Sequence, residues 1–275
     1  MCLIFVAVDA HPNYPVVIAA NRDEFYDRPS APASFWPEAP QLLAGRDLRA
    51  GGTWLGVTRT GRMAALTNYR DPESNRAEAP SRGNLVSDFL LGQEKPVSYL
   101  ERISANADRY NGFSLLVGQG AHFHYYSNRA RGIRALGPGI HGLSNHLLDT
   151  PWPKVEKGKQ ALRALLAGES ICPKDLFHCL LDRAAAPDEL LPNTGVGLEL
   201  ERMLSPIFIS SPGYGTRSST VILLDQIGKV TFIEKSFQNG SEDPSTVEHS
   251  FMLEPDPLSK IQTKISEIWN IEPQK

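Results

Sequence analysis

A cysteine at position 2, directly ahead of the apolar run "LIFVAV", is the first residue of this chain that carries chemistry. A small side chain there permits removal of the initiator methionine. Cys2 then holds a thiol and a free α-amine on one residue, and such an amine can serve as the base that activates the nucleophile. Their ordinary pKa values, about 8.5 for the thiol and about 7.7–8.0 for the amine, bracket mildly alkaline pH. A second cluster, Asn21-Arg22-Asp23-Glu24, ends the apolar segment "VVIAA". If the two segments pair around a turn near residues 10–15, residues 21–24 come to lie opposite the chain start. A carboxylate there would hold the ammonium, and Arg22 would favour the thiolate. The plainer reading makes Cys2 a small core hydrophobe and residues 21–24 a charged strand end facing water.

The elements that would position these groups follow from the hydrophobic pattern. Residues 2–8 are apolar at both alternating sets of positions, so both faces of that strand are covered. "VVIAA" (16–20) is its hairpin partner across the turn "DAHPNYP". Residues 28–40 hold four prolines and read as an ordered loop. "GTWLGVT" and "RMAALTN" form a second hairpin, and "GFSLLVG" and "HFHYYSN" a third. Helices are expected near 84–92 and 96–104, over "WPKVEKGKQALRALLAG" and over "PKDLFHCLLDRA". Strands return in "STVILLD", "KVTFIEKSF" and "TVEHSFML". Hairpins dominate, so the sheets are mostly antiparallel. Strands apolar on both faces need a layer on each side, which gives an α+β chain with two stacked sheets flanked by helices. No internal repeat or low-complexity linker divides residues 1–275, which read as one domain.

Composition removes several classes of function. The 275 residues carry a net charge of −3, so no basic surface points to nucleic acid. No run reaches the roughly 18 apolar residues of a membrane span. Three cysteines, Cys2, Cys172 and Cys179, make neither a disulfide framework nor a zinc set, and a cytoplasmic location is the expectation. Cys172 and Cys179 read as helix-packed. "GYGTRS" precedes a strand, where a dinucleotide fingerprint would precede a helix.

Six blocks, "MCLIFVAVD", "AANRDEFYDRP", "GGTWLGVT", "AALTNYRDP", "GLSNHLLDTPWPKV" and "GYGTRSSTVILLD", run in order from residue 2 to about 225. In these blocks the chain resembles the NRDE-motif family, the homologues of transport-and-Golgi-organisation protein two. The resemblance implies an N-terminal-nucleophile (Ntn) hydrolase fold, a four-layer α-β-β-α sandwich. More distantly the chain is similar to choloylglycine hydrolases and penicillin V acylases. That likeness makes Cys2 the nucleophile. Its Arg and Asp, three apart after the second strand, have no match at that spacing here. Either Arg22 and Asp23 fill the roles in a shifted frame, or Asn21 and Glu24 take the places and contact substrate. Asn68 resembles an oxyanion donor, Asn145 the second pocket Asn, and Arg217 the late Arg near the nucleophile. With Met1 removed, Arg22 or Arg217 beside the thiol is expected to depress its pKa.

Two functions compete on this scaffold. One is a cysteine amidohydrolase acting on an amide or thioester of a small apolar acid, with no cofactor and no metal required. The other is a non-enzymatic carrier of haem or acyl-CoA, in keeping with the haem handling and lipid homeostasis associated with the NRDE family. Candidate haem ligands are His122, His124, His141 and His146, or the Cys2 thiolate. A third reading is a structural protein that keeps the fold without the site.

Overall fold

The computed structural model describes residues 2–238 and 244–255. The chain starts with the expected hairpin of β1 (Cys2–Val8) and β2 (Val16–Phe25). It continues through β3 (Ser30–Trp36), β4 (Ala39–Asp47), β5 (Leu55–Thr58) and β6 (Arg62–Asn68). Helices α1 (Gly83–Leu91) and α2 (Pro96–Ser104) precede β7 (Phe113–Gln119), β8 (His122–Ser127), β9 (Arg134–Ala135) and β10 (Gly139–Leu143). Then come α3 (Pro153–Leu166), α4 (Pro173–Leu180) and α5 (Leu198–Leu204). Strands β11 (Ser210–Ser211), β12 (Tyr214–Leu224), β13 (Lys229–Ser236) and β14 (Ser245–Met252) complete the order.

The strands form two antiparallel sheets. One runs β10-β1-β2-β12-β13-β14, with β11 beside β12; the other runs β3 to β9 in chain order. Period-two alternation sorts β1 and β2 into two faces. Ile4, Val6, Ile18 and Ala20 face the second sheet, in a core shared with Leu43, Val57, Met63 and Leu116. Leu3, Phe5, Val17 and Ala19 face Val155, Leu162, Leu176 and Leu180 of α3 and α4. Over the second sheet, Leu85, Phe89, Leu100 and Ile103 of α1 and α2 pack on Leu42, Ala64 and Leu115. The result is the expected α-β-β-α order of layers. Helix α3 lies directly on β1 at Gly158, where a Cβ would come 2.0 Å from the Phe5 ring. Any larger residue would lift the helix from the strand.

Residues 28–40 are not a loop. They hold all of β3, the turn after it and the first two residues of β4, because their prolines fall where a ladder needs no N–H. Strand β3 is a sheet edge, and its pairing with β4 shifts register between Ala31 and Ser34, around Pro32. Strand β10 has little sequence signal in "GIHGL", yet it pairs along β1 from Ile4↔Leu143 to Val8↔Gly139. Cys172 and Cys179 are not packed away: Cys172, just before Pro173, is exposed, and Cys179 is half-buried. No helix among the described residues is long and apolar enough to cross a membrane. Met1 and residues 256–275 of the expected domain lie outside the described residues.

Candidate active site

The register of the first hairpin sets Cys2 opposite Arg22 and Leu3 opposite Asn21. Residues paired across strands share a face, so Cys2 and Arg22 point between the sheets while Asn21 points to the helices. There the Asn21 amide donates to the Leu180 and Ile207 carbonyls, both at 2.9 Å, and accepts from Ser219 Oγ at 2.6 Å. Asn21 thus ties the first sheet to its helical layer. Cys2, only 8% exposed, lines a cleft of about 360 Å³ together with Arg22, Asp23, Glu24 and Asn68.

Asn68 ends β6, on the facing sheet. Asn145, fully buried, stands behind it and donates from Nδ2 to the Asn68 carbonyl at 3.1 Å. The Arg70 N–H in turn donates to the Asn145 carbonyl at 2.8 Å. Asn145 is therefore a clasp between β6 and the segment after β10, one layer outside the cleft wall. Arg217 is also off the wall. The pairing of β12 with β2 shifts register between Thr216 and Ser218, and such a bulge re-aims the extra residue. Arg217 Nη1 donates to three carbonyls, Phe25 at 2.9 Å, Tyr26 at 3.1 Å and Arg28 at 3.0 Å. It braces the turn after β2 instead of facing the thiol.

That turn delivers a group that the sequence reading missed. Arg28 Nε donates to Asp47 Oδ2 at 2.7 Å and lies 3.8 Å from Glu24. Asp47 also accepts the Arg49 and Ala50 N–H groups, at 2.9 and 3.0 Å, and its carboxyl titrates low. Burial pushes that carboxyl up, but the Ala50 N–H and Arg28 outweigh it. Arg22, 5% exposed, stacks on the Trp54 ring at 4.4 Å and approaches Asp47 at 3.9 Å. Arg76 and Arg82 also line the cleft. The loop ahead of β5 meets the start of α1 at Gly52, where a Cβ would fall 2.6 Å from the Gly83 carbonyl carbon. This close approach brings Arg82 and Trp54 onto one cleft. Arg76 and Arg82 come from a loop with no pattern of its own, so nothing local marked them.

Burial sets the electrostatics. It pushes the Cys2 thiol above its ordinary value, against the positive charge of the chain-start amine and of Arg22, with Asp23 and Glu24 adding to the rise. In the chain that retains Met1 the thiol is thus raised, because desolvation of a thiolate at this depth outweighs an arginine already engaged with Trp54 and Asp47. Burial also raises the Asp23 carboxyl, against the pull of Lys154 and of the hydrogen bond from Thr216 Oγ1 at 2.7 Å. Lys154, 4% exposed in the first turn of α3, donates to the Leu204 carbonyl at 2.8 Å. Burial drops its pKa to about 8. A buried Arg70–Glu201 pair lies beside it, around one small cavity.

The four candidate histidines sit elsewhere. His122 pairs with Gln119 and His124 with Val117, toward the end of the β7–β8 hairpin away from Asn68. His141 binds Asp149 at 2.9 Å. His146 binds the Tyr69 hydroxyl at 2.6 Å and Thr150 at 2.9 Å. None lines the Cys2 cleft. Among the described residues, no group of three or more His, Cys, Asp or Glu side chains is placed to hold a metal ion.

The family described as Transport and Golgi organisation 2 matches residues 1–239. The chain belongs to that family. It is 40% identical over 279 residues to the Transport and Golgi organization protein 2 homolog of Bos taurus, across 92% of this chain and 100% of that one. To the Homo sapiens homolog it is 41% identical over 261 residues, across 87% and 94% of the two chains. Among solved structures it is similar to the C2A mutant of conjugated bile acid hydrolase from Clostridium perfringens. The TM-score is 0.51 at 8% identity, over 93% of this chain and 97% of that one. At that identity the likeness speaks for the fold alone, and the fold this family member adopts is the Ntn-hydrolase fold.

Proposed function

We propose that the protein is an Ntn-type cysteine hydrolase acting on an amide or thioester of an apolar acid, with Cys2 as nucleophile. The observation that carries this reading is the place of Cys2: the end of a central strand, on a cleft shared with Arg22, Glu24 and Asn68. With Met1 removed, the Cys2 α-amine takes the thiol proton as sulfur attacks the carbonyl carbon. The Asn68 amide donates to the oxygen that gains charge. The C–N or C–S bond then breaks, the leaving amine or thiol carries off the proton, and water releases the acid from sulfur. A thiol raised by burial suits this sequence, since it stays protonated until the amine removes the proton during attack. Trp54, Leu66 and Pro80 give the cleft an apolar side for the acyl group. The free cysteines suit a reducing compartment, and we place the protein in the cytoplasm.

The test is intact-mass analysis followed by incubation with a panel of acyl amides and thioesters. Loss of Met1 and a transient acyl adduct on the Cys2 peptide, absent in Cys2→Ala, are expected. Retention of Met1 in active material would remove the amine from the mechanism.

The apolar side of the cleft also suits a second reading, a carrier that binds an apolar acid, acyl-CoA or haem beside Trp54, Leu66 and Pro80 without cutting it. With His122, His124, His141 and His146 all off the cleft, axial ligation of haem there would fall to Cys2. A saturable Soret shift lost in Cys2→Ala would support this reading.

A further inference from the structure

The segment 76–83 contributes two arginines, Arg76 and Arg82, to the lining of the cleft that holds Cys2, and Arg76 also borders a second cavity beside Asp108. Arg76 Nη2 donates to the Asp108 carbonyl at 2.6 Å, and Arg82 Nη1 to the Gly112 carbonyl at 2.9 Å. Among the described residues neither side chain makes a hydrogen bond to a carboxylate. The other two arginines differ: Arg28 is bonded to Asp47, and Arg22 lies against Trp54 and near Asp47. The strap is held from both ends of Arg76. Its N–H donates to Asn111 Oδ1 at 2.8 Å, and its carbonyl accepts from Asn111 Nδ2 at 2.9 Å. Arg76 and Arg82 are thus fixed on the cleft with donors left over, since each guanidinium has five N–H groups and no acceptor.

We infer that Arg76 and Arg82 bind a carboxylate carried by the substrate close to its scissile carbonyl. The inference rests on the hydrolase reading for the word substrate, but the anion site stands on the cleft itself. Arg22, Arg28, Arg76 and Arg82 outnumber the carboxylates of Glu24 and Asp47 on the cleft, since the Asp23 carboxyl is bonded to Thr216 and lies under the pull of Lys154. The cleft is therefore net positive and attracts an anion. Planar guanidinium also matches planar carboxylate in a two-pronged hydrogen bond. Arg82 lies within the electrostatic reach of both Glu24 and Cys2, so the anion and the thiol share one compartment.

The experiment uses full-length Cys2→Ala protein, which binds without turnover, and two probes that differ only in charge, N-decanoylglycine and N-decanoylglycinamide. Isothermal titration near neutral pH is expected to show the carboxylate bound about tenfold or more tightly, the effect of one charge-assisted pair. Adding Arg76→Gln or Arg82→Gln to Cys2→Ala should bring the ratio of affinities toward one. Arg76 is exposed, so its variant reports even if the Arg82 variant fails to fold. Equal affinities for the two probes, or no measurable binding of either, overturn the inference. Failure of wild-type Cys2 to acquire an acyl group overturns only the hydrolase reading.

Discussion

Cys2 and Arg22 face one another across the first hairpin, yet Arg22 gives its guanidinium to Trp54 and Asp47 rather than holding a thiolate. Burial therefore dominates the thiol. With iodoacetamide near neutral pH, the exposed Cys172 should be labelled first and Cys2 last. Labelling of Cys2 should climb only in alkaline solution, and Arg22→Gln should slow it further. Peptide mapping over a pH series reads all three cysteines at once; rapid labelling of Cys2 in mild acid would contradict the account.

Glu234 is buried between the sheets, where it accepts the Ala33 N–H at 2.8 Å and lies 3.3 Å from the Thr220 hydroxyl. Burial raises its pKa to about 6, above the ordinary 4.5. A raised value means the folded chain prefers the protonated acid. Its favourable contribution is whole below about 4.5 and is lost as pH rises through about 6. Glu234→Gln, which keeps a neutral group there, should stabilise the protein by up to about 2 kcal/mol at neutral pH. The gain should vanish in mild acid. Urea unfolding of the two proteins across that range checks both sign and window.

Lys154 has the opposite sign. Its value of about 8 lies below the ordinary 10.5 because burial penalises the charge. Its contribution is whole above about 10.5 and is lost as pH falls through about 8. Relative to Lys154→Met, the wild type should gain about 3 kcal/mol between pH of about 7 and the alkaline limit. Denaturant unfolding of both proteins at the two ends measures the difference directly. A constant difference would mean that Lys154 does not titrate in this range.

Arg217 holds three carbonyls of the turn after β2. Removing a shared donor leaves those acceptors to water and loosens Arg28. Arg217→Gln should cost about 1–3 kcal/mol, in the range of charged hydrogen bonds. Hydrogen exchange should speed up in residues 25–29 before it does in β1. If Cys2 labelling changes while the turn keeps its protection, Arg217 acts on the thiol and not on the turn.

Asn68 and Asn145 are separable. Asn145 is fully buried and bonded to the Asn68 carbonyl, so Asn145→Ala should destabilise by about 1–3 kcal/mol. Asn68→Ala should leave the melting temperature close to that of wild type and slow acyl transfer to Cys2 by about 10²–10³-fold, as for loss of an oxyanion donor. Calorimetry beside single-turnover acylation tells the two apart. Equal loss of stability in both variants would make Asn68 a packing residue.

The layers and the first hairpin were legible in the hydrophobic pattern. Apolar residues at both alternating positions of β1 and β2 demanded cover on two sides, and helical spacing in α1 to α4 supplied it. The turn near residues 10–15 fixed the pairing of Cys2 with residues 21–24, because register follows from a short turn. Which polar residues share the cleft depends on how the layers close. Alternation along β2 sent Asn21 to the helices and Arg22 to the thiol, a bulge turned Arg217 outward, and the meeting of Gly52 with Gly83 carried Arg82 in from a distant loop. Local pattern encodes which face of an element is apolar. It does not encode how deep a group lies once the layers close, and that depth made the Cys2 thiol a buried acid rather than a ready thiolate.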